Sequence, residues 1–472
     1  FKKTKIIATI GPSTDHPQLV SRLIRNGMNV ARINMAHANK NDKIKDIVHA
    51  IRNESEKLGQ NIGIIMDLAG PKIRVDLSNI GNESIHIKKN HVYTLGYSKI
   101  NDIPINLDLK FKNTIDSKSF VKIDDGRISF KVISIRNNVM KIKANDSGQI
   151  YSKKGVNFPG VELKIPSITE KDVKDIKLGI KLGIDWFALS FVRNHKDYDE
   201  IVKIFNSKLN KIPIIAKIEK PEAIDDLDNI INSFDGILVA RGDLGVEMDL
   251  EKLPILQKKI VDKCQFYKKP VIVATQMLES MTQNSAPTRA EVNDVANAVY
   301  DNADAVMLSG ETAVGDYPIE AISIMNKIII NIENEIIGFN SVKINEDKND
   351  DYRSAIGNAI KSITKNLNID AIVIMTESGS TARIISNYNI NQHLFALSPH
   401  QNICNQMSLY KGVVPIKASE YLSTDEMLMN AERILLKNSY IRKGQTFIMT
   451  AGVPVGVTGS TNMLKIQKIE KD

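Results

Sequence analysis

The sequence predicts an α/β protein: a (β/α)8 TIM barrel carrying an inserted small β-barrel lid domain and a C-terminal α/β domain. Three observations carry this expectation. Eight short, near-continuous apolar runs alternate with helical patterns over the first two-thirds of the chain. The alternation breaks once, after the third run, for about a hundred residues rich in period-2 patterning. Beyond a polar, charged stretch at Lys343–Asp351, a second α/β alternation begins.

The eight runs are Lys5–Ile10, Val30–Asn34, Ile62–Asp67, Trp186–Ser190, Pro213–Ile218, Gly236–Ala240, Pro270–Ala274 and Ala305–Leu308. Strands buried on both faces read as continuous apolar runs, which is what a parallel barrel requires. In the interruption, Ser84–Ile87, Ser119–Ile123, Ile128–Ile135 and Val139–Ala144 alternate as strands, with Asp124-Asp125-Gly126 as a turn signal. Gly70-Pro71 leads out of the barrel, and Gly155–Pro166, punctuated by Pro159 and Gly160, leads back. A domain hung on two such stretches can swing as a lid. The expected division is 1–69 with 166–340 for the barrel, 70–165 for the lid and 350–472 for the C-terminal domain. In that last domain a helix over Ser354–Leu367 precedes strand Ala371–Met375, helix Ser380–Tyr388 and strand His393–Leu397. Strands Gly412–Ile416, Thr446–Thr450 and Met463–Ile469 follow.

Composition narrows the function. No apolar run is long enough to span a membrane. The two cysteines, Cys264 and Cys404, are far apart and lack ligand spacing, which points to a reducing compartment. The net charge of +8 suits phosphorylated ligands. The basic residues are scattered, without a stripe interleaved with aromatics, which argues against nucleic acid. The sequence opens at Phe1, directly before a strand. The expectation is therefore that the true start lies upstream, leaving organellar targeting open beside a cytoplasmic location.

In such a barrel the working residues lie at the C-terminal ends of the strands. Strand two ends in Arg32 and Asn34, followed by His37. Strand three ends in Asp67, with Lys72 and Arg74 beyond. Strand five ends in Lys217 and Glu219, strand six leads into Arg241, Gly242 and Asp243, and strand seven ends at Thr275. After strand eight come Ser309, Gly310 and Glu311. Glu219 and Asp243 can hold a hard divalent cation such as Mg2+. Lys217 and Arg32 offer positive charge to an anion, the inventory that phosphoryl transfer needs. The segment Ala240–Asp243 precedes a short helix whose first N–H groups can take a carboxylate or phosphate. A lone Lys-x-Glu at a strand end is more often a surface pair; charged residues at five strand ends of one barrel favour an anion-plus-metal site. Position alone does not name the substrate.

The segments KIIATIGP (Lys5–Pro12), GMNVARIN (Gly27–Asn34), KGVNFPG (Lys154–Gly160), AKIEKPE (Ala216–Glu222) and DGILVARGDLGVE (Asp235–Glu247) resemble the pyruvate kinase family. So do ATQMLESM (Ala274–Met281), APTRAEVNDVANAV (Ala286–Val299) and DAVMLSGETAVG (Asp304–Gly315). The resemblance runs nearly end to end at the right spacings. It implies a homotetrameric glycolytic enzyme that moves the phosphoryl group of phosphoenolpyruvate to ADP with Mg2+ or Mn2+, giving pyruvate and ATP. By the same resemblance Glu219 and Asp243 are metal ligands, Arg32 grips the transferring group and Lys217 offsets its charge. Thr275 belongs to the proton relay at the enolate carbon, and the Gly242 and Asp243 amides take the substrate carboxylate. Asn34, His37, Arg74 and Lys154 stand on the nucleotide side.

Departures from the family pattern fall in one region. The chain has Asn34-Met35-Ala36-His37-Ala38 where a Ser is frequent, and Asp67-Leu68-Ala69-Gly70-Pro71-Lys72 where the last position is usually Glu. Asn34, Asp67, Leu68 and Lys72 mark the monovalent-cation region of the family. Lys72 resembles a potassium-independent branch, its ammonium standing in for the ion, so K+ is expected not to be required. The alternative is a Lys72 that faces solvent. Val314 also stands where Lys is frequent.

In the C-terminal domain, Thr376, Ser378, Gly379, Ser380 and Thr381 form a hydroxyl-rich loop at a helix start, suited to phosphate. It resembles the family's effector site; the alternative is a helix capped by Ser380. Glu377, and a late loop Gly456–Asn462 without Arg or Lys, favour a sugar monophosphate, a nucleotide or no effector. Two other functions remain open to the residues. One is a metal-dependent lyase acting on phosphoenolpyruvate or pyruvate, which needs no lid or nucleotide site. The other is a non-catalytic sensor, which would have no need of Lys217, Glu219, Asp243 and Thr275.

Overall fold

The computed structural model describes residues 2–37, 41–78, 83–98, 100–107, 115, 119–161, 165–205, 212–338, 352–421, 423–453 and 461–470. The Lys343–Asp351 stretch, Ala38 and residues 456–460 of the late loop lie outside them.

Eight parallel strands close into a barrel in chain order: Lys5–Ile10, Val30–Asn34, Gly63–Asp67, Trp186–Leu189, Ile214–Ile218, Gly236–Ala240, Val271–Ala274 and Ala305–Leu308. Each agrees with the sequence reading to within about one residue at either end, as boundaries of regular elements generally do. Side chains on a strand alternate between faces. One set (Ile6, Ala8, Ile64, Met66, Ile214, Ala216, Ile218) packs outward on the helices. The other (Ile7, Val30, Ile65, Ala188, Ile215, Leu238, Ile272, Ala305) fills the barrel interior. Two of the outer helices carry reciprocal caps: Thr169 with Asp172 opens Glu170–Leu182, and Thr288 with Glu291 opens Arg289–Tyr300.

The insertion after the third strand is built as two sheets around one apolar core. Six strands pair in the order Val156–Asn157, Phe120–Ile123, Ile128–Arg136, Val139–Ala144, Val92–Gly96 and Ile103–Pro104. Ser84–Ile87 pairs with Gly148–Tyr151. Ile87 and Ile150 of the smaller sheet share a core with Val121, Phe130 and Ile142 of the larger. Asn137 and Asn138, both at positive φ, make the two-residue hairpin that joins two long strands.

The C-terminal domain is a five-stranded sheet: Val413–Lys417, His393–Ser398, Ala371–Met375, Thr446–Gly452 and Thr461–Lys468, the last antiparallel. Helices Gln401–Met407 and Thr424–Lys437 were not legible from the sequence pattern. This domain closes the N-terminal mouth of the barrel. Lys5 Nζ donates to Val413 O at 2.6 Å and Trp186 Nε1 to Gln406 O at 3.3 Å. The interior apolar set of the barrel continues without a break into Leu394, Met407, Leu409 and Val413. No helix among the described residues is long and apolar enough to cross a membrane.

Candidate active site

The alternation that fills the barrel with Val30, Ile65, Ala188 and Ile215 has a consequence at the opposite mouth. Two residues further along each strand, the same face presents Arg32, Asp67, Ser190 and Lys217. Ile7 leads likewise to Thr9. These side chains meet. Asp67 is the hub: its Oδ2 accepts from Arg32 Nε at 2.8 Å and NH2 at 2.6 Å, and its Oδ1 lies 3.2 Å from Lys217 Nζ. Arg32 NH1 donates to Thr9 Oγ1 at 3.0 Å. Lys217 Nζ also reaches Glu219 Oε1 at 2.8 Å and donates to Ser190 Oγ at 2.8 Å. Glu219 Oε2 accepts from the Phe191 amide at 2.8 Å, and Phe191 adopts a φ of +58° to deliver it.

Lys217, Asp67 and Glu219 are all buried, so their mutual charges, with that of Arg32, decide their protonation. Burial alone would strip the proton from Lys217, but Asp67 and Glu219 hold its pKa above the usual lysine range. Burial opposes ionisation of Asp67, and Lys217 and Arg32 together overcome it, leaving its pKa low. Glu219 goes the other way: burial and then the nearby Asp243 carboxylate raise its pKa despite Lys217. A Glu219 carboxylate whose charge is disfavoured by a neighbouring Asp243, both offering hard oxygen donors, fits a divalent cation. Among the described residues no cluster of three or more His, Cys, Asp or Glu side chains forms a metal cage. Two carboxylates alone could hold only an ion that keeps water and other oxygens in its shell.

Asp243 lies in the first turn of helix Arg241–Glu247. Lys72 approaches it, Nζ to Oδ1 3.2 Å, and sits 5.9 Å over the Phe191 ring. The solvent-facing alternative for Lys72 is thereby set aside. The Gly242 amide is not open to a carboxylate as expected from the sequence: it donates to Thr275 Oγ1 at 2.7 Å, because the helix begins beside that hydroxyl. Thr275 has φ +67° and Gln276 φ +54°, a strained pair for a β-branched residue and its neighbour. Arg241 NH2 braces both carbonyls, at 2.6 and 3.1 Å.

Beside this cluster lies a cleft of about 580 Å³ between barrel and inserted domain, lined by His37, four cations (Lys72, Arg74, Lys153 and Lys154) and two carboxylates (Asp124 and Asp125) among others. Burial and then Arg74, Arg32 and Lys72 keep the His37 imidazole below its ordinary pKa. The cleft is therefore basic without relying on histidine charge. Lys154 Nζ is held by Asp124 at 2.8 Å, and Arg74 NH1 donates to Lys153 O at 2.8 Å. Asn34 turns back to accept from the Ala36 amide at 3.1 Å. The Leu68 side chain packs in the outer core; its carbonyl accepts from Ser190 Oγ at 2.7 Å. Glu311, also at a strand end, only braces the Leu278 and Ser309 amides. Sequence reasoning missed Thr9, Ser190 and Asp124. The first two were legible as the interior-facing positions at their strand ends.

The C-terminal loop differs from its sequence reading. The residue capping Ser380–Ser386 is Gly379, at φ +76°, not Ser380. Thr376 Oγ1 accepts from the Gly379 amide at 3.0 Å, and Thr381 is buried, paired with Thr461 at 2.6 Å. Ser378 and Ser380 remain at the mouth of the loop. A cation does stand nearby: Arg353 NH1 donates to Ser380 Oγ at 3.3 Å, while Glu377 pairs with His400 at 3.0 Å.

Comparisons with known proteins agree with this architecture. The family described as "Pyruvate kinase, barrel domain" matches residues 1–322, and "Pyruvate kinase, alpha/beta domain" matches residues 354–467. A pyruvate kinase of Staphylococcus saprophyticus is 40% identical over 99% of this chain and 81% of its own length. One from Staphylococcus aureus is 39% identical over the same shares. The crystal structure of a pyruvate kinase from Cryptosporidium parvum superposes with a TM-score of 0.90 at 32% identity, covering 99% of this chain and 96% of that one. With family matches in both the barrel and the C-terminal domain, and relatives aligned almost end to end, the chain belongs to the pyruvate kinase family.

Proposed function

We propose that this chain transfers the phosphoryl group of phosphoenolpyruvate to ADP, giving pyruvate and ATP. The observation that carries this is the ring of Arg32, Asp67, Lys217 and Glu219 at one barrel mouth, beside a basic cleft wide enough for a nucleotide.

Arg32 and Lys217 bind the phosphoryl oxygens, and Asp67 orients both cations. Glu219 and Asp243 would hold a divalent cation, Mg2+ or Mn2+, which when bound would supply further positive charge there. A β-phosphate oxygen of ADP attacks phosphorus, and the bond to the enol oxygen breaks with its electron pair. The resulting enolate takes a proton on carbon, with Thr275 at that face as part of the relay, to give pyruvate. The Gly242 and Asp243 amides receive the substrate carboxylate once Thr275 Oγ1 yields the Gly242 N–H. Asn34, His37, Arg74 and Lys154 serve the nucleotide, and closure of the inserted domain excludes water as a competing acceptor. A lactate dehydrogenase-coupled assay with phosphoenolpyruvate, ADP and Mg2+ tests this; absence of ADP-dependent pyruvate formation refutes it.

Four finer readings go with it. The catalytic barrel comprises 1–69 and 166–340, with the lid at 70–165 and a regulatory domain at 350–472. The Lys72 ammonium beside Asp243 replaces a monovalent cation, so turnover proceeds without K+. Ser378, Gly379 and Ser380, with Arg353, take the phosphate of a sugar monophosphate or nucleotide effector; flat responses to glucose 6-phosphate, ribose 5-phosphate and AMP would remove that reading. The enzyme is a cytoplasmic homotetramer.

A further inference from the structure

Helix Arg241–Glu247 ends in a buried acid, which is unfavourable on two counts. A carboxylate at a helix C-terminus opposes the helix dipole, and burial denies it water. Glu247 is kept there by two donors from different parts of the chain. Its Oε1 accepts from Lys220 Nζ at 2.6 Å and from Asn157 Nδ2 at 2.7 Å. Lys220 follows Glu219 directly, and Asn157 belongs to the inserted domain. The preceding carbonyl, Val246 O, takes Lys122 Nζ at 2.8 Å, also from the inserted domain.

These contacts are not scattered. Asn157 and Lys122 face each other in register across the pair of strands Val156–Asn157 and Phe120–Ile123. Asp124 follows one strand and Lys154 precedes the other, and those two form the ion pair that lines the nucleotide cleft. At its other end the helix begins with Arg241, Gly242 and Asp243. One short helix thus has Asp243 in its first turn and the seam of the inserted domain at its last residue. The Glu247 carboxylate also ties in the residue next to Glu219.

We propose that Glu247 is a positioning residue that couples the placement of the inserted domain to the spacing of the Glu219 and Asp243 carboxylates. Resting on the metal assignment above, this makes lid position and cation affinity two readouts of one joint. Partners that orient ligating carboxylates commonly change metal affinity when removed, by about 10-fold to 100-fold.

The decisive variant is Asn157→Ala, because Asn157 lies in the inserted domain and contacts neither Glu219 nor Asp243. Mn2+ binding to the substrate-free full chain, read by electron spin resonance, is expected to weaken on the order of tenfold. The KM for ADP rises more than kcat falls. Glu247→Gln, which preserves shape and removes charge, shifts both in the same direction. The double variant weakens Mn2+ binding no more than Glu247→Gln alone, since both act through one contact. Mn2+ affinity of Asn157→Ala within about twofold of the parent, or full additivity of the pair, overturns the proposal. Lower melting temperatures with unchanged Mn2+ affinity overturn it too, leaving Glu247 a structural brace. Should Glu247→Gln fail to fold, Asn157→Ala decides alone. A parent protein that neither binds Mn2+ nor forms ATP would instead refute the assignment of the site itself.

Discussion

Substitution Lys217→Met separates the electrostatics of the site from its chemistry. Lys217 Nζ lies 2.8 Å from Glu219 and 3.2 Å from Asp67. At an effective dielectric of about 20 those distances correspond to gross attractions of about 6 and about 5 kcal/mol. Desolvation of three buried ions cancels much of this, so the loss on removing one partner is about 3–5 kcal/mol. For a barrel of this size that lowers the melting temperature on the order of 10 °C in metal-free buffer. Asp67 keeps Arg32, so the uncompensated charge falls on Glu219, whose pKa is already raised. Stability tied to a carboxylate with a raised folded pKa is lost as pH rises through that value, so the deficit of the variant grows as pH rises above the ordinary carboxylate range. Saturating Mg2+ at the proposed Glu219 and Asp243 site supplies charge beside Glu219 and shrinks the deficit. Turnover is not restored, because no cation stands where the phosphoryl oxygens need Lys217; kcat falls at least on the order of a hundredfold. Differential scanning fluorimetry with and without Mg2+, beside the coupled assay, reads both effects. Turnover within about tenfold of the parent, or a stability deficit untouched by Mg2+, refutes the reasoning.

Other outcomes follow from particular contacts. Lys72→Glu places a carboxylate beside Asp243 and is expected to make turnover depend on added KCl, which a potassium titration in otherwise K+-free buffer checks. Asp124→Asn frees Lys154 from its ion pair and shifts the KM for ADP while leaving that for phosphoenolpyruvate within about twofold, read from initial rates. Lys5 is fully buried, and burial lowers its pKa to about 8. Between pH 8 and 10 the unfolded chain holds a proton on Lys5 that the folded chain has released, so this group alone makes stability rise with pH by up to ~3 kcal/mol, and Lys411, lowered to about 8, and Lys2, lowered to about 7, add slope of the same sign. Burial raises Asp304 beside it to about 6, so that group adds no slope in this window. Urea melts at pH 7.5 and 9.5 should show the rise, and Lys5→Met should reduce it.

The barrel was legible because strands buried on both faces leave no choice of residue: runs such as Ile214–Ile218 contain little but aliphatic side chains. The inserted domain was harder to read. Ile103–Pro104 and Val156–Asn157 are two-residue strands, and Val92–Gly96 exposes Val92, so neither period nor length marks them. At the site, the charged strand ends could be read in order along the chain, but the hub role of Asp67 could not. It arises from the pairing of strand three with strands two and four, which brings the inward-facing Asp67 within reach of Arg32 on strand two and, across the end of strand four, of Lys217 on strand five. Thr275 illustrates a different limit. β-Branched residues avoid positive φ, so nothing in Ala274–Met281 announces a left-handed backbone there. Arg353 reaches Ser380 from a helix 27 positions upstream, which is why a reading confined to Thr376–Thr381 and its Glu377 gave no cation there.

The seal at the N-terminal mouth bears on how this molecule can be dissected. Ile7, Ile215 and Trp186 belong to the same apolar mass as Leu394, Met407 and Val413. An excised catalytic fragment would therefore expose greasy surface at its base and strand the ammonium of Lys5 without its carbonyl. It would be expected to precipitate, so any attempt to study the barrel site apart from the C-terminal domain must leave that plug in place and probe the domain by point substitution.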